Sequence, residues 1–340
     1  MRCLLCFLLF SALPAAAEPM PVRGVTFAHL HNRQVGYGSD AARRQLDAIG
    51  ELGGNWITVT DFVYMPNVNR PELRWGGDRS LTRDGLATTI RDAKARGLKV
   101  LSKPHVWSNQ FWNGDEWHGT IAMTSDADWQ RFFDRYGDFL VEQATLAHEA
   151  GADAFCVGVE MKATNHREAE WRAVIARVRE VFSGELTYSA NSDEWQDVAW
   201  WDALDCIGIT AYFSLVDQGP VTDAALRQAW RAVMDDLEPF AREQGLPVCF
   251  TELGYSRSSK AAAAPWEHHE VDPDPELQAR LYRVALEEVE RSDVVIGVFL
   301  WKWFTGDADV AARMERGDVF GLQNRPLALD AIRNAWSEQD

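Results

Sequence analysis

The sequence is poor in the features that tie a chain to a membrane, to nucleic acid or to a disulfide framework. Residues 4–13 form an apolar run of about ten, too short to span a bilayer, and no later segment is long and apolar enough to do so. With the Met-Arg start before it and Ala15-Ala-Ala17 after it, that run reads as a secretory signal peptide over residues 1–17. Export to the periplasm or the exterior is expected, with residues 18–340 as one catalytic domain. Cysteine is scarce as well: Cys3 and Cys6 leave with the signal, and Cys156, Cys206 and Cys249 remain. An odd number inside or beside predicted strands points to buried thiols, with a Cys206 to Cys249 bridge open only if their strands are neighbours. Basic residues number 34 against 51 acidic, a net charge of −17 that repels nucleic acid and anionic lipid but leaves neutral ligands unaffected. No glycine-rich phosphate loop follows the first predicted strand, and residues 261–264, all alanine, are too few for a linker.

What is present is a large apolar fraction, 46%, arranged in a regular alternation. Strands are predicted at residues 23–30, 55–64, 99–107, 154–161, 185–191, 206–213, 247–255 and 294–304. Helices are predicted at 40–52, 82–96, 126–150, 167–182, 223–243, 276–291 and 326–336, the first with Asp40 as N-cap and the third stopped by Gly151. Eight such strands in one domain predict a (β/α)8 TIM barrel, an α/β fold. Helix-to-strand links are short, whereas those after the third, seventh and eighth strands are long, which marks the strand C-termini as the working face.

Two of those strands end in an acid. In Ala154-Phe-Cys-Val-Gly-Val-Glu-Met161 a period of two turns Phe155, Val157 and Val159 one way and Cys156, Gly158 and Glu160 the other. The run 247–255 presents Glu252 in the same manner. Facing carboxyls, one protonated and one ionised, are what glycoside hydrolysis needs. Tyr212, one strand away, is placed to donate to Glu252. Trp301 shares its parity with Gly297 and Phe299 and would floor a sugar site, with Trp303 extending it. Lys103 and His105 on the third strand and Asn191 at the end of the fifth are candidates for sugar hydroxyls. Trp107, Phe111, Trp112 and Trp117 crowd one long loop, where rings stack on sugar faces. Fifteen tryptophans on an acidic chain suit a neutral polysaccharide or oligosaccharide.

Lys103-Pro-His-Val-Trp107, Tyr188-Ser-Ala-Asn191, Tyr212-Phe213, Phe250-Thr-Glu-Leu-Gly-Tyr255, Pro265-Trp266 and Trp301-Lys-Trp303 together resemble the motif series of glycoside hydrolase family 113, in order and over nearly the whole mature chain. The resemblance implies a retaining (β/α)8 glycosidase acting on β-1,4-mannan, with Glu160 as acid/base and Glu252 as nucleophile. One departure from the broader clan is Val159, where asparagine is common before the acid/base, so a contact to the sugar 2-hydroxyl must come from elsewhere.

Two alternatives stand beside this reading. A non-catalytic carbohydrate-binding barrel would share the fold. A metal-dependent barrel amidohydrolase would use His29-Leu-His31 and Lys162, yet the fifth, sixth and eighth strands end in Asn191, Tyr212 and Trp301, not in ligands. No metal or cofactor is therefore expected. Turnover should survive exhaustive chelation, and a loss restored by zinc would favour the amidohydrolase instead.

Overall fold

Each predicted strand and helix is found in the computed structural model, which describes residues 22–337 apart from 112–113. The segment 1–17 read as a signal peptide and Trp112 lie outside the described residues. The described residues form strands β1 (Val22–Ala28), β2 (Trp56–Val59), β3 (Phe62–Tyr64), β4 (Lys99–Ser102), β5 (His105–Trp107), β6 (Ala154–Val159), β7 (Glu185–Asn191), β8 (Cys206–Thr210), β9 (Val248–Leu253) and β10 (Val295–Phe304). Their helices are α1 (Asp40–Glu51), α2 (Arg83–Ala95), α3 (Asp126–Ala150), α4 (Glu168–Arg179), α5 (Asp223–Gln244), α6 (Pro275–Arg291), α7 (Ala308–Met314) and α8 (Pro326–Ser337). Strands β1-β10-β9-β8-β7-β6-β4-β2 close into a parallel barrel, the (β/α)8 fold expected from the sequence.

The second and third predicted strands are each broken in two. Pro104 lacks a backbone N–H, so β4 stops at Ser102 and pairing resumes at His105. Beyond the break, β3 and β5 pair as a separate parallel ribbon, Phe62 against His105 and Tyr64 against Trp107. Helix α7 was not expected, because seven residues are too few for a helical period to register. The cap of α1 is Ser39, whose side chain accepts from the Ala42 N–H, while Asp40 lies in the first turn. Gly151 ends α3 in the left-handed conformation, as its position predicts.

The barrel interior is layered. Its apolar floor holds Val22, Trp56, Leu101, Ala154, Cys156, Val159, Cys206, Cys249 and Phe299. All three cysteines are free and buried, so β8 and β9 are neighbours without a Cys206 to Cys249 bridge. Above the floor, Ser189, Thr210 and Thr251 are buried and supply hydroxyls. A second core lies between barrel and helices, where Trp171, Trp200, Trp201 and Trp230 are fully buried and serve packing. Among the described residues no helix is long and apolar enough to cross a membrane.

Gly297 sits where β10 passes β1, with φ 141°, and a Cβ there would lie 2.0 Å from the Val22 carbonyl oxygen. Gly297→Ala should cost at least about 2 kcal/mol and lower the denaturation midpoint. Gly50, in α1 with nothing within 4 Å of an added Cβ, offers the opposite case. Gly50→Ala should stabilise by about 0.5 kcal/mol.

Candidate active site

Simple alternation does not bring Glu160 and Glu252 together; extra residues in their strands do. Between the pairs Cys156↔Thr187 and Val159↔Ser189, β6 advances three residues while β7 advances two. Between Ile209↔Phe250 and Thr210↔Glu252, β9 advances two while β8 advances one. Such bulges re-aim side chains. In β6 the bulge turns Val159 into the apolar floor beside Cys156, contrary to the alternation expected. Glu160 then takes a left-handed backbone, φ 53°, which costs about 1 kcal/mol outside glycine. It is held there by its N–H to the Ser189 carbonyl at 2.8 Å and by the Thr210 hydroxyl, which donates to Oε1 at 2.6 Å. In β9 the bulge sets Thr251, bonded to the Ser189 hydroxyl, beside Glu252 on the inward side.

Glu252 is buried and accepts two bonds. The Lys103 Nζ donates to Oε1 at 2.5 Å and the Tyr212 hydroxyl to Oε2 at 3.1 Å, the latter as expected. Lys103 has 0% of its surface exposed and also donates to the Thr251 carbonyl at 3.2 Å. It therefore holds a carboxylate and does not reach sugar hydroxyls, a correction to the sequence reading. His105 Nε2 lies 4.0 Å from Glu252 Oε1 and, among the described residues, has no hydrogen-bond partner. Burial, then the Lys103 charge, push this imidazole well below its ordinary range, so it is neutral. Burial, then the charge of Glu252, raise Glu160 to about 8.

Trp301 lies at the mouth, its ring 6.4 Å from that of His105 and nearly parallel. Trp303 does not join it. Between Val25↔Leu300 and Phe27↔Trp303, β10 advances three residues while β1 advances two, and the Trp303 indole donates to Gln45 of α1 at 2.9 Å. Asn191 pairs with Thr210 across the ladder and so lies beside the Glu160 contact. The β3–β5 ribbon adds a wall: the Phe62 ring is 6.1 Å from His105, 6.3 Å from Tyr64 and 6.4 Å from Trp107. Phe111 is buried against His118 and serves packing, while Trp117 remains half-buried. Thr210 was missed from sequence, although its parity with Gly208 on β8 pointed inward.

His29, His31 and Asp78 bring ligand atoms within 4.8 Å of one another. The Tyr37 N–H donates to His29 Nδ1 at 3.0 Å, however, and burial, then the charge of His31, hold that imidazole neutral with a pKa of about 4. Its proton then sits on Nε2, 3.4 Å from the Ser80 hydroxyl, and neither nitrogen offers a lone pair to an ion. Lys162 is bound to Asp193 at 2.8 Å. This group does not fit an amidohydrolase metal centre.

The profile of Glycoside Hydrolase Family 113 matches residues 25–320. The chain belongs to glycoside hydrolase family 113. It is thus a glycoside hydrolase, and the non-catalytic and amidohydrolase alternatives fall away. A family 113 β-1,4-mannanase in a complex is 26% identical, with 94% of this chain and 99% of that chain covered at a TM-score of 0.81. The family 113 β-mannanase of Alicyclobacillus acidocaldarius, in complex with ManMIm, is 29% identical, with 94% and 98% covered at 0.82. A family 5 mannosidase from Rhizomucor miehei shares the fold at 11% identity and a TM-score of 0.64, with 94% and 93% covered. A search of curated proteins finds no match.

Removing one partner of a buried ion pair leaves the other charge uncompensated, so Lys103→Met should cost about 3 kcal/mol and abolish turnover. Adding Glu252→Gln should restore most of the stability and none of the activity. Calorimetry with activity assays on the two variants checks both, and an active Lys103→Met enzyme would contradict this account of the site.

Proposed function

We propose that the protein is an exported, retaining β-mannanase in which Glu252 is the nucleophile and Glu160 the acid/base. The observation that carries the division of roles is the unlike surroundings of the two carboxyls. Glu252 accepts from a buried ammonium and a hydroxyl, the setting of a carboxylate, while burial beside that charge keeps a proton on Glu160. Glu252 attacks the anomeric carbon as Glu160 protonates the departing glycosidic oxygen. Glu160 then takes a proton from water, which releases the sugar from Glu252. Because the donor must be protonated for the first step, kcat/KM should fall as the pH rises through about 8.

Mannan as substrate is supported by the β-mannanases that the chain resembles at 26% and 29% identity. The wall formed by Phe62, Tyr64, His105 and Trp107, with Trp301 at the mouth, gives a chain of sugar rings apolar faces to lie on. His105, with its free nitrogen, and Asn191, beside Thr210, are the groups for sugar hydroxyls, and stand in for the asparagine absent at Val159. Export rests on the signal-like start of the chain.

Two variants separate the roles. Glu252→Ala should stop turnover of every glycoside, whereas Glu160→Ala should still cleave an activated aryl β-mannoside and respond to azide. Proton NMR should find the first-formed product with the substrate's anomeric configuration; an inverted anomer would overturn the retaining mechanism, and glucan or xylan cleavage without mannan cleavage would overturn the substrate.

A further inference from the structure

A second buried carboxyl lies just behind Glu160. Glu194, on the turn after β7 where its N–H donates to the Asn191 carbonyl at 3.0 Å, is 1% exposed. Its Oε1 accepts from the Tyr188 hydroxyl at 2.9 Å. That hydroxyl in turn accepts from the Met161 N–H at 2.8 Å. Met161 follows Glu160 directly, so this chain of bonds pins the C-terminal side of the one left-handed residue that the site requires. Glu194 also fixes the sense of the chain: as an acceptor it draws the Tyr188 proton toward itself and leaves a lone pair for Met161.

Resting on the roles proposed above, we propose that Glu194 is a positioning residue for the proton donor, acting on Glu160 through Tyr188 and through its own charge. Its Oε2 is buried and has no hydrogen-bond partner among the described residues, a cost that packing alone does not explain. The charged and titratable groups around it are Tyr188 on β7, Asp193 beside it, and Lys162 and Glu160 after β6. Lys162 is engaged by Asp193 and does not bond Glu194. Burial raises Glu194 to about 7, so it ionises at a lower pH than Glu160. When ionised it opposes ionisation of Glu160, which also faces Glu252, Lys103 and Tyr212.

The two effects separate by mutation. Tyr188→Phe breaks the link and leaves the Glu194 carboxyl in place. Its kcat/KM on a manno-oligosaccharide, whose leaving group needs a proton, should drop about tenfold or more. On an activated aryl β-mannoside it should change less than about threefold. Glu194→Gln keeps an acceptor for Tyr188 and removes the charge, so Glu160 should lose its proton at lower pH and the alkaline limb of the kcat/KM profile should move down. Glu194→Asp should return the limb toward its original place. Equal losses on both substrates for Tyr188→Phe would reduce the pair to a structural role and overturn the inference. So would an unmoved limb in Glu194→Gln, and so would a variant that does not fold while its partner behaves as wild type. If the wild-type protein cleaves neither substrate, the mannanase reading fails first and this one with it.

Discussion

The ammonium of Lys103 is the constraint on which the mouth of the barrel depends. It projects from the chain just beyond β4 and meets a carboxylate on β9, 149 residues later, with no surface exposed to water. An ammonium so placed is tolerable only when paired and bonded, and its partners here are the Glu252 carboxylate and the Thr251 carbonyl. Both belong to the bulge of β9, so the irregular stretch of that strand is what answers the buried charge. The same bulge lets Thr251 reach Ser189, whose carbonyl receives the Glu160 N–H, and the two acids thereby share one supporting layer.

The barrel and the placement of both glutamates at its mouth were legible in the sequence because they depend on long-period signals. Helices of 25 and 22 residues, α3 and α5, and apolar runs that end in an acid survive any local irregularity. What parity predicted was less secure. It turned Trp301 inward, where its ring faces His105, but put Val159 outward and Trp303 inward, and each of these two lies beyond an added residue in β6 or β10. A single inserted residue exchanges the faces of everything after it, and nothing in the Val157-Gly158-Val159 or Trp301-Lys302-Trp303 runs announces the insertion. Lys103 was located on the correct face but given the wrong partner, since burial depth is not written in alternation. Thr210 was recoverable from Gly208 by the same parity; Glu194 was not, because it lies on a turn.

The layering of the interior follows from what each height must do. At the floor Cys156, Cys206 and Cys249 pack as small, largely apolar groups beside Phe299 and Trp56. One level higher the strands supply hydroxyls: Thr210 donates to Glu160, and Ser189 and Thr251 bond each other. At the rim, Pro104 interrupts β4 and frees the chain to form the β3–β5 ribbon, whose rings extend the apolar surface outward from His105. The lining thus changes from apolar groups at the floor to hydroxyls beside the acids and aromatic rings at the rim.

The two glutamates, identical as residues, lie in unlike surroundings. The Lys103 Nζ bonds the Glu252 carboxyl, whereas the Glu160 carboxyl accepts from the Thr210 hydroxyl. Loss of the Glu160 proton would put a charge where water reaches poorly and beside that of Glu252, which is the cause of its rise to about 8. Thr210 does not offset this, since a hydroxyl donor eases ionisation without cancelling the charge. In the mechanism proposed above, the acid that lies against the ammonium is the nucleophile, and the acid that lies against a neutral hydroxyl keeps its proton for the leaving group. Under that proposal, which glutamate takes which role follows from a side chain just beyond β4, far in sequence from either.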